Sequence, residues 1–212
     1  MNEVVKELNA LYVYQERTKV GAAAAVLNAT PKQLQDYITD YVTASYYGHE
    51  LVYMVGKFQQ KHESIYRGTF FEKSLLEVGN VISIGSDLIS TTKSLEVAKS
   101  FASLLIDNGL DESIYESYAD EGVFDPDLND FEQNVEALYA NVIFKIDEVQ
   151  GLYLNDFYDF DHKFIKEEEV LIYAQNMKFE VQSVQVYEIV SKKDGKDVHL
   201  LLVELKQIKE CI

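Results

Sequence analysis

The feature that most limits the fold is a change of pattern near residue 62. Before it the chain reads as helix. Alanine-rich GAAAAVLNA closes one helical stretch, and Thr30, Pro31 and Gln33 supply an N-cap, a first-turn proline and a capping-box partner for the next. That second helix runs toward Tyr46, Gly48 marks a break, and a third segment ends near Gln60. Tyr37, Tyr41 and Tyr47 lie along one side and read mainly as a packing stripe. From Ser64 onward come short strand patterns: SIYRGTF, the segment from Ile82 to Ile89, NVIFKID, EVLIYA, KFEVQSVQVYEIV and DVHLLLVEL. The last two flank an Asp194-Gly195 hairpin signal. One helix interrupts the strands, capped by Ser94, with Leu95, Ala98, Ala102 and Leu105 at helical spacing. The class is α+β, read as a single domain over 1–212 with an N-terminal helical part, 1–62, and a mainly β core, 63–212.

Charge narrows the partners. A formal net charge of -17 over 212 residues disfavours direct binding to nucleic acid or an anionic membrane and favours a basic protein partner. Between Lys99 and Lys145 there is no basic residue, and the stretch 107–136 reads as a mobile acidic loop, either a solvated insertion or a rim that attracts a basic macromolecule. The N-terminus has no signal-peptide pattern and no segment reaches membrane-spanning length, so a cytoplasmic location is expected. The single cysteine, Cys211, forms no internal disulfide, and His49, His62, His162 and His199 fall in no ligand spacing, so no metal is expected.

Three short stretches can carry chemistry. Tyr66-Arg67-Gly68 puts an arginine in a strand before a glycine that allows close backbone approach. Ile89-Ser90-Thr91-Thr92 is a strand end rich in hydroxyls that leads into a helix; alone it is most often a cap. Glu167-Glu168-Glu169 opens the strand VLIYA, and strand alternation would put Glu167 and Glu169 on one face with Glu168 on the other. Two converging carboxylates repel unless a hydrogen bond or a cation offsets the cost; the other reading is a charge cluster that protects an edge strand.

In this order the three resemble the arginine-serine-glutamate class of mono-ADP-ribosyltransferases. The pattern of that family is an aromatic-Arg-Gly strand, a Ser-Thr-Ser/Thr strand before a helix with a Phe-Ala pair, and a Glu-x-Glu before a strand. The Phe-Ala pair here is Phe101-Ala102, and Lys178-Phe179-Glu180-Val181 matches the strand that follows. The resemblance spans about Tyr41 to Leu205. In size the chain is similar to the small enzymes of T-even bacteriophages, and its core to binary-toxin catalytic components and C3-like exoenzymes.

The resemblance implies two packed, twisted β-sheets around an NAD cleft, with helices on the N-terminal side. It implies NAD as substrate. Arg67 would hold an NAD phosphate and the nicotinamide ribose, a task that suits a permanently charged planar fork. Gly68 would meet the carboxamide through its backbone. Ser90 and Thr91 would belong to the NAD site, with Ser90 holding Glu169, and Glu169 would bind the ribose and stabilise positive charge as the nicotinamide bond breaks. Phe101 would lie against the nicotinamide, or serve the core. Glu167 would deprotonate the nucleophile, and a glutamate there goes with arginine as acceptor. Phe164 occupies the place of target-recognising aromatics, and Glu168 would be dispensable.

The sequence departs from that family at Leu104, near which toxins carry an arginine, at Asp87 in place of a common asparagine, and at Tyr173-Ala174-Gln175-Asn176 in place of a proline-glycine turn. The function implied is transfer of ADP-ribose from NAD to arginines of a host protein, in the host cytosol if the chain is phage-encoded. NAD-capped RNA is a further conceivable donor. The alternatives are an NAD glycohydrolase and a non-enzymatic acidic binding or inhibitor protein.

Overall fold

In the computed structural model, described for residues 29–44, 49–85, 87–107, 138–156, 167–191 and 197–208, the capping box forms at Thr30. Thr30 N donates to Gln33 Oε1 at 2.9 Å and Gln33 N to Thr30 Oγ1 at 3.4 Å, opening helix α1, Pro31–Ala44. Helix α2 follows as His49–Phe58. Leu34 and Ile38 of α1 and Leu51, Met54 and Val55 of α2 bury one face of each helix against Leu152 and Leu171. The helical pair is thereby fixed to the sheet that carries the site. Neither is long and apolar enough to cross a membrane, nor is any other described helix.

The strands are β1 (Gln60–Glu72), β2 (Val81–Ile82), β3 (Leu88–Thr92), β4 (Tyr139–Tyr153), β5 (Glu169–Tyr173), β6 (Lys178–Ser191) and β7 (Asp197–Ile208). The run expected from Ile82 to Ile89 is thus two short strands separated by a bend. Helix α3, Leu95–Asp107, joins β3 toward β4, and Ser94 Oγ accepts from Val97 N at 3.3 Å as its cap.

By hydrogen bonding the described strands form one seven-stranded sheet in the order β1-β3-β5-β4-β7-β6-β2, with β1 also paired to β4. Two separate sheets, as the resemblance implied, are not distinguished by this pairing, and the cause lies in β4. Along one edge β4 pairs antiparallel with β1, from Gln60↔Gly151 to Glu72↔Tyr139. It also pairs parallel with β7 over Asn141 to Ile146, then with β5 at Leu152 and Tyr153. Because β3 joins β5 to β1, the four strands β1, β3, β5 and β4 close a circuit. From these strands Ile65, Phe144, Ile146, Val170 and Ile172 enter the main core cluster, which Phe179, Val181 and Val203 of β6 and β7 share, and all are essentially inaccessible to water.

A separate cluster forms where α3 packs on β1. Ala98 and Ala102 meet Ile143 and Leu200, with Tyr66 and Leu95 beside them. The helix comes so close that a Cβ on Gly68 would lie 1.8 Å from Ala98 O and 2.7 Å from Ala102 N. A glycine is therefore required here by the seating of a helix, which is a different reason from the ligand approach that the sequence suggested.

The stretch that GAAAAVLNA was expected to close, Tyr47, Gly48, residues 108–136 of the acidic stretch, the Asp194-Gly195 turn, His162 and Cys211 lie outside the described residues.

Candidate active site

The antiparallel pairing of β3 with β5 builds the site. Thr92 faces Glu169 in register, and Ser90 faces Leu171. Thr91 Oγ1 donates to Val170 O at 2.6 Å, Thr92 Oγ1 to Glu167 O at 2.5 Å, and Lys93 N to Glu168 O at 3.1 Å. Each residue of this run therefore ties down a different peptide group of the acidic segment, and Ser90 ties down a side chain: its Oγ donates to Glu169 Oε1 at 2.6 Å. The hydroxyl density of Ser90-Thr91-Thr92 is explained by this, since strand-end carbonyls otherwise lack donors.

Glu167 and Glu169 do come to one cavity, though not by simple strand alternation. Strand β5 begins only at Glu169, and Glu168 takes a left-handed backbone with φ 46°. The chain bends at Glu168 and brings the two flanking carboxylates to the same opening, a conformation that costs a non-glycine residue about 1 kcal/mol and is held here by the Thr92 and Lys93 bonds.

The cavity has a volume of about 240 Å³. Arg67, Gly68, Ser90, Glu167 and Glu169 line it, with Tyr66, Thr91, Thr92 and Phe101 completing the wall. Arg67 enters from β1, and its Nη1 donates to Ser90 O at 2.7 Å. Its Nε is buried and meets no acceptor among the described residues. Burial lowers the guanidinium pKa, opposed by the Tyr41 hydroxyl, yet an arginine stays charged at any physiological pH. A buried N–H of a permanent cation without an acceptor is costly, so this guanidinium is held at the cavity wall short of one of its bonds.

Phe101 is 47% exposed, so of its two readings the core one is excluded. It stands on α3 beside the buried Ala102 and offers a bare ring to the cavity. The Thr91 hydroxyl proton is committed to Val170 O, so within the cavity this side chain can offer only lone pairs. Asp87 is not among the lining residues: its carbonyl accepts from Ala174 N at 2.9 Å and its carboxylate from Gln175 Nε2 at 3.4 Å. The turn that replaces proline-glycine works because Asn176 adopts φ 60°, a conformation asparagine tolerates best after glycine. Phe164 and the Leu104 side chain lie outside the described residues.

One residue escaped the sequence reading. Tyr41 packs in the α1 and α2 cluster as expected, but its hydroxyl continues to Glu169 Oε1 at 2.8 Å, across 128 positions of sequence. A single carboxylate oxygen thus accepts from both Ser90 and Tyr41. The other oxygen, Oε2, takes neither bond. The only trace of this in the sequence is the tyrosine and serine content of DYVTASYYGHE. Among the described residues no three His, Cys, Asp or Glu side chains are grouped so as to hold a metal ion.

No family model matches the chain, and no curated protein does. Among solved structures it is similar to Vis toxin, an ADP-ribosyltransferase from Vibrio splendidus, at 18% identity and a TM-score of 0.42, covering 99% of this chain and 88% of that one. Vis in complex with agmatine gives 19% identity and 0.43, covering 99% and 87%. The enzymatic component C2-I of the C2 toxin from Clostridium botulinum gives 14% and 0.39, covering 92% and 44%. At such identities and scores the likeness is distant.

Proposed function

We propose that this protein is a mono-ADP-ribosyltransferase of 1–212 as one domain, moving ADP-ribose from NAD to arginine side chains of a protein target with release of nicotinamide. The observation that carries this reading is the convergence on one cavity of a buried, partly unpartnered guanidinium, a carboxylate braced by two hydroxyls, and a second carboxylate on the adjoining turn. NAD supplies the glycosidic bond, which breaks as nicotinamide leaves with its bonding electrons and positive charge grows on the ribose.

The chain's own residues answer that demand. Arg67, at the cavity wall, brings a permanent positive charge to an anionic oxygen while Nη1 stays anchored on Ser90 O. A cavity of about 240 Å³ is small for a whole dinucleotide, so the nicotinamide-ribose end enters and the rest lies outside. Phe101 gives the departing ring an aromatic face. Glu169, its carboxylate fixed in advance by Ser90 and Tyr41, places negative charge where positive charge develops and spends no reorganisation at that moment. Glu167 accepts the proton that the acceptor guanidinium loses as its nitrogen bonds to the ribose carbon. The formal charge of -17 favours approach of a basic target bearing that arginine.

Glu167→Gln tests the division of labour between the two carboxylates. Removing the proton acceptor while leaving Glu169 intact lowers transfer to arginine by about 10²-fold or more, while NAD cleavage by water persists. Equal loss of both reactions would show that Glu167 serves bond breaking instead of the acceptor.

A further inference from the structure

Lys93 lies just beyond the Ser-Thr-Thr run and does not line the cavity, yet its amide bonds to the acidic turn and its side chain reaches the strand end paired with β5. Its amide donates to Glu168 O at 3.1 Å, the peptide that carries the left-handed bend. Its Nζ lies 3.3 Å from the centroid of the Tyr153 ring, at the last residue of β4. Tyr153 is in turn the register partner of Val170, the second residue of β5. The lysine therefore runs from the end of β3, over the start of β5, to the end of β4. A cation over an aromatic face is attracted by the ring quadrupole, and the half-buried position of this ring strengthens the attraction.

The two carboxylates are secured differently. Glu169 has its own side-chain donors in Ser90 and Tyr41. The backbone bend that aims Glu167 is pinned at its carbonyls by Thr92 and Lys93. Loosening Lys93 would disturb the bend, and with it the aim of Glu167, more than the Glu169 carboxylate. Burial raises the Tyr153 pKa first of all, and the nearby negative charges of Glu168 and Asp156 add to this, so a cation on its ring is favoured there electrostatically as well.

Resting on the proposed transferase activity, we infer that Lys93, seated on Tyr153, is a positioning residue that holds the Glu167–Glu169 turn in the arrangement that delivers ADP-ribose to an acceptor instead of to water. Four variants separate the ring and charge from mere bulk: K93R and Y153F keep the cation and the aromatic face, whereas K93M and Y153L remove one each. Two readouts are taken on each protein: the ratio of arginine transfer to NAD hydrolysis, and amide hydrogen exchange of residues 169–173. K93M and Y153L are expected to lower the ratio by about ten- to a hundredfold, as a displaced catalytic group does, and to speed exchange in 169–173. K93R and Y153F are expected to match wild type in both. A ratio and an exchange rate unchanged in K93M and Y153L, with the wild type active, overturn this inference alone. A wild type that neither cleaves NAD nor transfers overturns the proposed activity and this role with it, and exchange in the same variants then shows only whether the clamp is structural.

Discussion

Glu169→Gln is expected to lower nicotinamide release by about 10²–10³-fold, the range seen when one preorganised electrostatic group is removed from a transition-state site. Glutamine keeps the size and one acceptor oxygen, so the Ser90 and Tyr41 hydroxyls at 2.6 and 2.8 Å retain a partner. What it lacks is the negative charge. The thermal midpoint should accordingly stay within a few degrees of wild type, and a steady-state assay of nicotinamide beside a melting curve checks both halves. A large loss of activity with an unchanged melting curve assigns the effect to charge and not to packing. Activity within a few fold of wild type would mean that Glu169 does not face the developing positive charge.

Gly68→Ala is expected to act through stability. The added methyl carbon would stand 1.8 Å from Ala98 O and 2.7 Å from Ala102 N, and both are backbone atoms of α3 that no rotamer change can move. Relief requires the helix to lift off β1, uncovering Ala98, Ala102 and Ile143. Overpacking a rigid contact of this kind costs roughly 3 kcal/mol or more, which for a chain of this length lowers the melting midpoint by about 10 °C. A midpoint close to wild type would show that α3 does not rest on Gly68. Because α3 also presents Phe101 to the cavity, this variant should lose activity in proportion to its loss of folded protein.

The two substitutions mark where the sequence was informative. Caps were legible because they are local: Thr30 with Gln33, and Ser94 before α3, need only three or four residues to be recognised. The three candidate stretches stood out as a set, and each of them supplies residues that line one cavity. What the sequence could not carry was geometry made by distant parts. The bend at Glu168 is set by donors from the 92–93 segment, so a reading by strand alternation brought Glu167 and Glu169 together for a reason the backbone does not obey. Gly68 reads as a ligand-approach glycine until a helix about thirty residues later is laid on it. Tyr41 is indistinguishable from Tyr37 within α1, since only the closing of β5 against the helical pair brings Glu169 to its hydroxyl. The single hydrogen-bonded sheet was hidden for a similar reason: NVIFKID showed a strand, but not that it extends over 15 residues and takes three partners.

The measurement that tests the central claim most directly is a paired count of products. The wild-type protein is incubated with NAD and an arginine-containing peptide, or the same peptide with lysine in place of arginine, and released nicotinamide and peptide-bound ADP-ribose are quantified together by mass spectrometry. Nicotinamide matched one-to-one by ADP-ribose on the arginine peptide, with none on the lysine peptide, is the predicted result. Nicotinamide accompanied only by free ADP-ribose, or no nicotinamide at all, would contradict it.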